Sequence, residues 1–301
     1  MKPTIGFIGV GNMGGAMSRH LLKAGYPLVV HDVREAAMEA LKQAGADAAT
    51  SPLDLARRSG VVITMLPSST EVEAVALGPG GLLEGLGAGG ILIDMTSAHP
   101  SSTRMVHDRL AAKGLRMMDA PVSGGVKGAR EANLSIMVGG DEKDYEEVRP
   151  VLEVMGKNIY YVGKIGAGHA MKALNNLCSA CSMAITSEAM VVAARLGLDP
   201  VKAIEILNTS SGSSWSTQYK FPNFVLTRRF NSGFDIGLMN KDVDIALNLG
   251  RELRVPMFVG SMVQQLYRLA VAEGRGSECH TAIVKFVEEW GGVQVTGPKD
   301  G

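Results

Sequence analysis

Three glycines close an apolar run near the start of the chain, Gly9, Gly11 and Gly14 in "GFIGVGNMG". Their G-x-G-x-x-G spacing suits a backbone that wraps a diphosphate. Gly9 permits the tight turn, Gly11 lets the phosphates come close to the main chain, and Gly14 lets strand and helix pack tightly. Asn12 and Met13 fill the turn, and the helix that follows offers its N-terminal N–H groups to the anion. Asp32 ends the next apolar run, "PLVVHD", where an acid accepts hydrogen bonds from ribose hydroxyls and repels a 2′-phosphate. That favours NAD. Arg34 keeps NADP open, because it can meet a 2′-phosphate, stack on adenine, or simply begin a helix in solvent. The glycines alone would also suit an ordinary strand-to-helix turn; strand, helix and acid together point to a dinucleotide.

A second group sits in "GAGHAMKALNNLCSAC", where Lys172, Asn175 and Asn176 are offset by three and four residues. Such offsets put the three side chains on one helical face. A lysine among small uncharged residues is partly desolvated, which lowers its pKa and lets it take or return a proton. The same spacing also suits a surface lysine beside two solvated asparagines. A third stretch, "DAPVSGG" at 119 to 125, places Ser123, Gly124 and Gly125 where a strand stops. It can be a glycine-rich connection, or a cradle in which a carboxylate meets backbone N–H groups. Leu66 and Pro67 in "MLPSS" and Thr96 in "DMTSAHP" lie at two further strand ends, placed to touch the adenosine and nicotinamide halves of a dinucleotide.

These groups need a scaffold. Between Pro3 and about Gly163, the runs "TIGFIG", "PLVVHD", "VVITML", "GILIDM", "GLRMMD", "LSIMVGG" and "NIYYVG" alternate with helical patterns. The expected fold is α/β, a Rossmann-type, mostly parallel sheet with helices on both faces. From about residue 168 to 196 no proline or internal glycine interrupts a helix roughly 43 Å long at 1.5 Å per residue. Helical patterns then follow at about 200 to 208, 216 to 227, 238 to 253, 256 to 273 and 278 to 290, with no convincing strand. We therefore expect a dinucleotide-binding domain over 1–164 and an all-helical domain over 165–301, joined by the long helix. The last residues, "QVTGPKDG", read as a loose tail.

Apolar residues make up 46% and charged ones 20%, and 30 Lys and Arg balance 30 Asp and Glu, which describes a soluble globular chain with no basic face for nucleic acid or membranes. Three cysteines give no disulfide framework and point to a reducing compartment, the cytoplasm. Cys178 and Cys181 form C-x-x-C without a second ligand pair, and the six histidines lack metal spacing, so no metal is expected and these cysteines read as buried small residues.

The four motifs, G-x-G-x-M-G, "DAPVSGG", "GAGHAMKALNN" and "LMNKDVDIAL", resemble in type and order those of the β-hydroxyacid dehydrogenase family, over nearly the whole chain. The resemblance implies that Lys172 is the catalytic lysine and that Asn175 and Asn176 are the paired asparagines near substrate. It further implies that Ser123, Gly124 and Gly125 hold the substrate carboxylate, that Lys241 reaches the cofactor, and that Asp242 lies near the active-site lysine. The implied activity is hydride transfer between a small 3-hydroxy acid and NAD, with 3-hydroxyisobutyrate first. Residues 216 to 238 lack the proline-rich insertion of several hydroxyisobutyrate enzymes, which leaves tartronate semialdehyde, 2-(hydroxymethyl)glutarate and a serine-like substrate as alternatives. Imine reductases share the architecture but generally lack the lysine, and a non-catalytic nucleotide-binding module would not need it. The apolar helical half implies a homodimer or homotetramer.

Overall fold

Each apolar run of the first half forms a strand, and short elements between them complete the sheet. The computed structural model describes residues 2–297. The chain divides into two compact units, Met1–Lys172 and Ala173–Gly301.

In the first unit the strands are β1 (Ile5–Ile8), β2 (Leu28–His31), β3 (Asp47–Ala48), β4 (Val61–Thr64), β5 (Ile91–Asp94), β6 (Arg116–Asp119), β7 (Val122–Ser123), β8 (Leu134–Gly139) and β9 (Gly156–Gly163). Their order is β3-β2-β1-β4-β5-β6-β8-β7, with β9 also paired to β8. The pairing is parallel from β3 to β6 and between β8 and β9, and antiparallel where β8 meets β6 and β7. Strands β3 and β7 are two residues long, too short to carry an alternating pattern of their own.

Both faces of the sheet are buried. Ile5, Phe7, Ile63, Ile91 and Ile93 enter one core, while Ile8, Val29, Val62 and Leu92 enter the other, as period-2 alternation demands. The covering helices are α1 (Gly14–Lys23), α2 (Glu35–Lys42), α3 (Pro52–Arg57), α4 (Ser69–Leu77), α5 (Leu82–Gly85), α6 (Pro100–Ala111), α7 (Gly125–Arg130) and α8 (Glu142–Leu152). The register aligns Ile8 with His31 and Thr64, Thr64 with Asp94, and Asp94 with Asp119. Five connections thus leave one edge side by side.

The long helix α9 runs Ala167–Arg195, and Gly197 stops it with φ +78°. The second unit continues with α10 (Pro200–Asn208), a π-helical segment (Ser216–Val225), α11 (Ile236–Glu252), α12 (Phe258–Ala272), a 3₁₀ turn (His280–Ile283) and α13 (Val284–Gly291). Tyr267, Phe221, Phe286, Met183 and Met239 fill its core. The helical pattern at 216 to 227 is wound wider than an α-helix around Pro222, which has no N–H to give an α-helical ladder. The expected tail is packed at its start: Val295 is fully buried, its N–H donates to Glu288, and Gly297 N–H donates to the Leu226 carbonyl. Residues 298 to 301 lie outside the described residues.

Candidate active site

The aligned strand ends gather the nucleotide-type residues in the first unit. Gly9 follows β1 with φ +88°, a conformation that favours glycine, and a Cβ there would strike the Met65 carbonyl and crowd Leu66. A Cβ on Gly14 would strike the Gly9 carbonyl, so the start of α1 sits directly on the turn. Between them, Asn12 is exposed, and Met13 packs on the core below. A strand-end turn that admits no side chain at Gly9 or Gly14, opening a helix, fits a diphosphate.

Asp32 is nearly buried at the end of β2. One of its oxygens accepts the Val10 N–H at 3.0 Å, and the other accepts the Arg34 N–H at 2.9 Å. The carboxylate is thereby fixed beside the glycine turn. Arg34 lies 3.4 Å from Asp32 through Nε, and its guanidinium stands next to Gly11, where an added Cβ would come 3.1 Å from it. Thr96 is fully buried and its hydroxyl oxygen accepts the Leu66 N–H at 3.0 Å, tying the β4 and β5 ends together. Pro67 is exposed next to Leu66.

The "DAPVSGG" segment begins with Asp119, which turns inward and is fully buried. Ser123 pairs with Ser135 across β7 and β8, and then Gly124 takes φ +127° and Gly125, the first residue of α7, takes +61°. Two successive glycines in that region leave an exposed, side-chain-free turn. Lys172 is the last residue of this unit and is buried on α9.

In the second unit the polar residues form a chain. Asn175 donates to Asn176 Oδ1 at 3.0 Å, and Asn176 donates to Asp242 Oδ2 at 2.5 Å. Asn176 and Asp242 are buried, and among the described residues Asp242 Oδ1 has no hydrogen-bond partner; the Lys241 ammonium stands 3.6 Å from it. Helix α11 brings Asp242 to α9 by burying Ile245 and Ala246 against Ala173. The spacing of Lys172, Asn175 and Asn176 shows in the sequence, whereas the partner 66 residues away shows only in the fold. Lys220, another buried cation, donates to Ser179 Oγ at 2.6 Å. Cys178 is exposed and Cys181 half-buried, so the C-x-x-C pair is not the buried pair its composition suggested. Among the described residues no three His, Cys, Asp or Glu side chains converge on a metal-sized site.

Residues 4–163 match the NAD binding domain of 6-phosphogluconate dehydrogenase, and residues 166–287 match the NAD-binding domain of NADP-dependent 3-hydroxyisobutyrate dehydrogenase. The chain belongs to the β-hydroxyacid dehydrogenase family. Within that family it is 42% identical to a 2-(hydroxymethyl)glutarate dehydrogenase of Eubacterium barkeri, with 97% of each chain covered. It is 39% identical to a 3-hydroxyisobutyrate dehydrogenase of Pseudomonas aeruginosa, over 88% of this chain and 91% of the relative. The solved Mycobacterium tuberculosis 3-hydroxyisobutyrate dehydrogenase with L-serine superposes with a TM-score of 0.88 at 31% identity, covering 95% of this chain and 99% of that one. The chain is an NAD(P)-dependent hydroxy acid dehydrogenase with a Rossmann-type domain and a helical domain.

Proposed function

We propose that the chain oxidises 3-hydroxyisobutyrate to methylmalonate semialdehyde, reversibly and with NAD, and that Lys172 handles the proton. The observation that carries this reading is a buried lysine one helical turn before Asn176, itself hydrogen-bonded to buried Asp242. The nicotinamide ring, when bound, supplies the acceptor for the hydride leaving the hydroxymethyl carbon. The amine of Lys172 accepts the hydroxyl proton as the C–O bond becomes a carbonyl, and returns it in the reverse direction. Gly9, Gly11, Asn12, Met13 and Gly14 would hold the diphosphate and Asp32 the adenosine ribose. Leu66, Pro67, Thr96 and Lys241 would line the remainder of the cofactor. Ser123, Gly124 and Gly125 would take the substrate carboxylate on backbone N–H groups. Asn175, Asn176 and Asp242 would orient the hydroxyl end and the lysine.

A second substrate, 2-(hydroxymethyl)glutarate, is favoured by the 42% relative and by Lys220, a buried ammonium on Ser179 one turn beyond Asn176 that suits a second carboxylate. Initial rates with both acids, tartronate semialdehyde and L-serine, each with NAD and NADP, test the reading. We expect the highest kcat/KM with 3-hydroxyisobutyrate and NAD. A preference of about tenfold for the diacid, or for NADP, would overturn the corresponding half.

For assembly we infer a homodimer or homotetramer, because α9 and α12 expose Ile185, Val192, Phe258, Val259 and Met262. Light scattering that gives the monomer mass at micromolar concentration would contradict it. Free Cys178, Cys181 and Cys279 support a cytoplasmic setting. Helix α9 is long and apolar enough to cross a membrane by length and composition, but it carries Lys172, Asn175 and Asn176, which suit a site rather than a span.

A further inference from the structure

Asp94, Asp119 and His169 lie deep inside the first unit, and none of them binds or transfers anything in the scheme above. Asp119 accepts the Gly166 and His169 N–H groups, each at 2.7 Å, one on each oxygen. Its carboxylate thus caps the start of α9, where N–H groups lack intrahelical partners and the helix dipole favours negative charge. A Cβ on Gly139 or Gly168 would meet that carboxylate, so two glycines make room for it.

The His169 ring is held on one side and not on the other. Its Nδ1 is 2.7 Å from Thr103 Oγ1, and that hydroxyl lies 3.1 Å from the His99 carbonyl. A hydroxyl has one proton; given to the carbonyl, it leaves Nδ1–H to donate to Oγ1 and Nε2 to accept. Nε2 faces Asp94 Oδ2 at 3.8 Å, and neither atom has a hydrogen-bond partner among the described residues. The other Asp94 oxygen accepts from Thr64 Oγ1 at 2.8 Å and from the Thr96 N–H at 3.1 Å. Burial pushes the Asp94 carboxyl up, against the opposing pull of His169, Thr96 and Thr64. A protonated Oδ2 opposite an accepting Nε2 sets a donor against an acceptor, in electrostatic contact at 3.8 Å rather than hydrogen-bonded.

We propose that Asp94 and His169 are positioning residues for Lys172, facing each other across the interior and, with Asp119, fixing the first turn of α9 against the strand ends. The path is continuous. Leu66 N–H donates to Thr96, Thr96 N–H donates to Asp94, Asp94 faces His169, and His169 precedes Lys172 by three residues on the same helix. The proposal rests on the assignment of the proton to Lys172.

The test compares Asp94→Asn, Asp94→Ala, His169→Gln and His169→Leu, with turnover counted per cofactor-binding site from a fluorescence titration with NADH. An asparagine keeps an N–H facing Nε2 and so imitates the protonated acid. Asp94→Ala and His169→Leu should lose at least ~10-fold in kcat per site, with KM for the hydroxy acid within roughly threefold and a larger solvent deuterium isotope effect, because proton transfer to a misplaced amine becomes slow. Asp94→Asn and His169→Gln should recover most of that loss. The proposal falls if Asp94→Ala stays within about twofold of wild type, if Asp94→Asn is as impaired as Asp94→Ala, or if the isotope effect does not move. Lys172→Ala, run alongside, separates the failures. Retained turnover there removes the assignment of Lys172, whereas its loss with Asp94→Ala and His169→Leu intact removes this inference alone.

Discussion

The strand-end edge of the first unit and the polar chain of the second unit are built by opposite means. At the edge, what matters is missing side chains: Gly9, Gly14, Gly124 and Gly125 leave the main chain bare, and Asp32 is locked by two backbone N–H groups. In the helical unit the polar chain is made of side chains, Asn175 to Asn176 to Asp242, held by burial rather than by turns. A backbone cradle tolerates little change in conformation, while a side-chain chain fails when one member is lost. The two regions should therefore break differently.

The largest separation comes from Lys172→Ala. Turnover should fall at least ~10²-fold while NAD affinity stays within about threefold, as shown by stopped-flow rates and a binding titration. Asn176→Ala should cost about 1–3 kcal/mol in denaturant unfolding, because it leaves Asp242 buried with neither oxygen bonded by a side-chain amide. Gly124→Val should raise KM for the hydroxy acid about tenfold, the equivalent of roughly 1–2 kcal/mol of strain at φ +127°, with NAD affinity unmoved. An equal loss of NAD affinity in that variant would erase the distinction between the two loops of the edge.

The smallest effect is on stability against pH. Burial first, and then Lys220, holds the His280 imidazole well below its ordinary value of 6.5. Above pH 6.5 the ring is neutral in both states and contributes no slope. Below it the unfolded chain takes a proton that the folded one refuses, so stability should fall by up to about 1.4 kcal/mol per pH unit. His280→Gln should flatten that limb in thermal melts recorded between pH 7 and pH 5, the window around the ordinary histidine value.

Much of the edge was legible because glycine spacing and strand-end acids are local signals. The seven longer strands and α9 followed from short apolar, β-rich runs and from an uninterrupted helical stretch. Other features were not legible, for identifiable reasons. β3 and β7 hold two residues each, and the π-helical turns depend on how Pro222 is accommodated. Asp119 reads in sequence as the end of a strand, yet its oxygens go to the start of a helix 47 and 50 residues on. His169 looked like one of six scattered histidines, because its partners Thr103 and Asp94 lie on other elements. Family resemblance put Asp242 near the active-site lysine, but its hydrogen bond with Asn176 was not legible, since no local pattern links α9 to α11.

The central claim is that this chain moves a hydride from a 3-hydroxy acid to NAD while Lys172 takes the proton. The most direct measurement is NADH formation from 3-hydroxyisobutyrate, protiated and deuterated at the hydroxymethyl carbon, in wild type and Lys172→Ala at matched NAD occupancy. The account predicts NADH in the wild type, slower formation from the deuterated acid, and near-complete loss in the variant. NADH formed at the wild-type rate by Lys172→Ala, or none formed by the wild type with NAD bound, would contradict it.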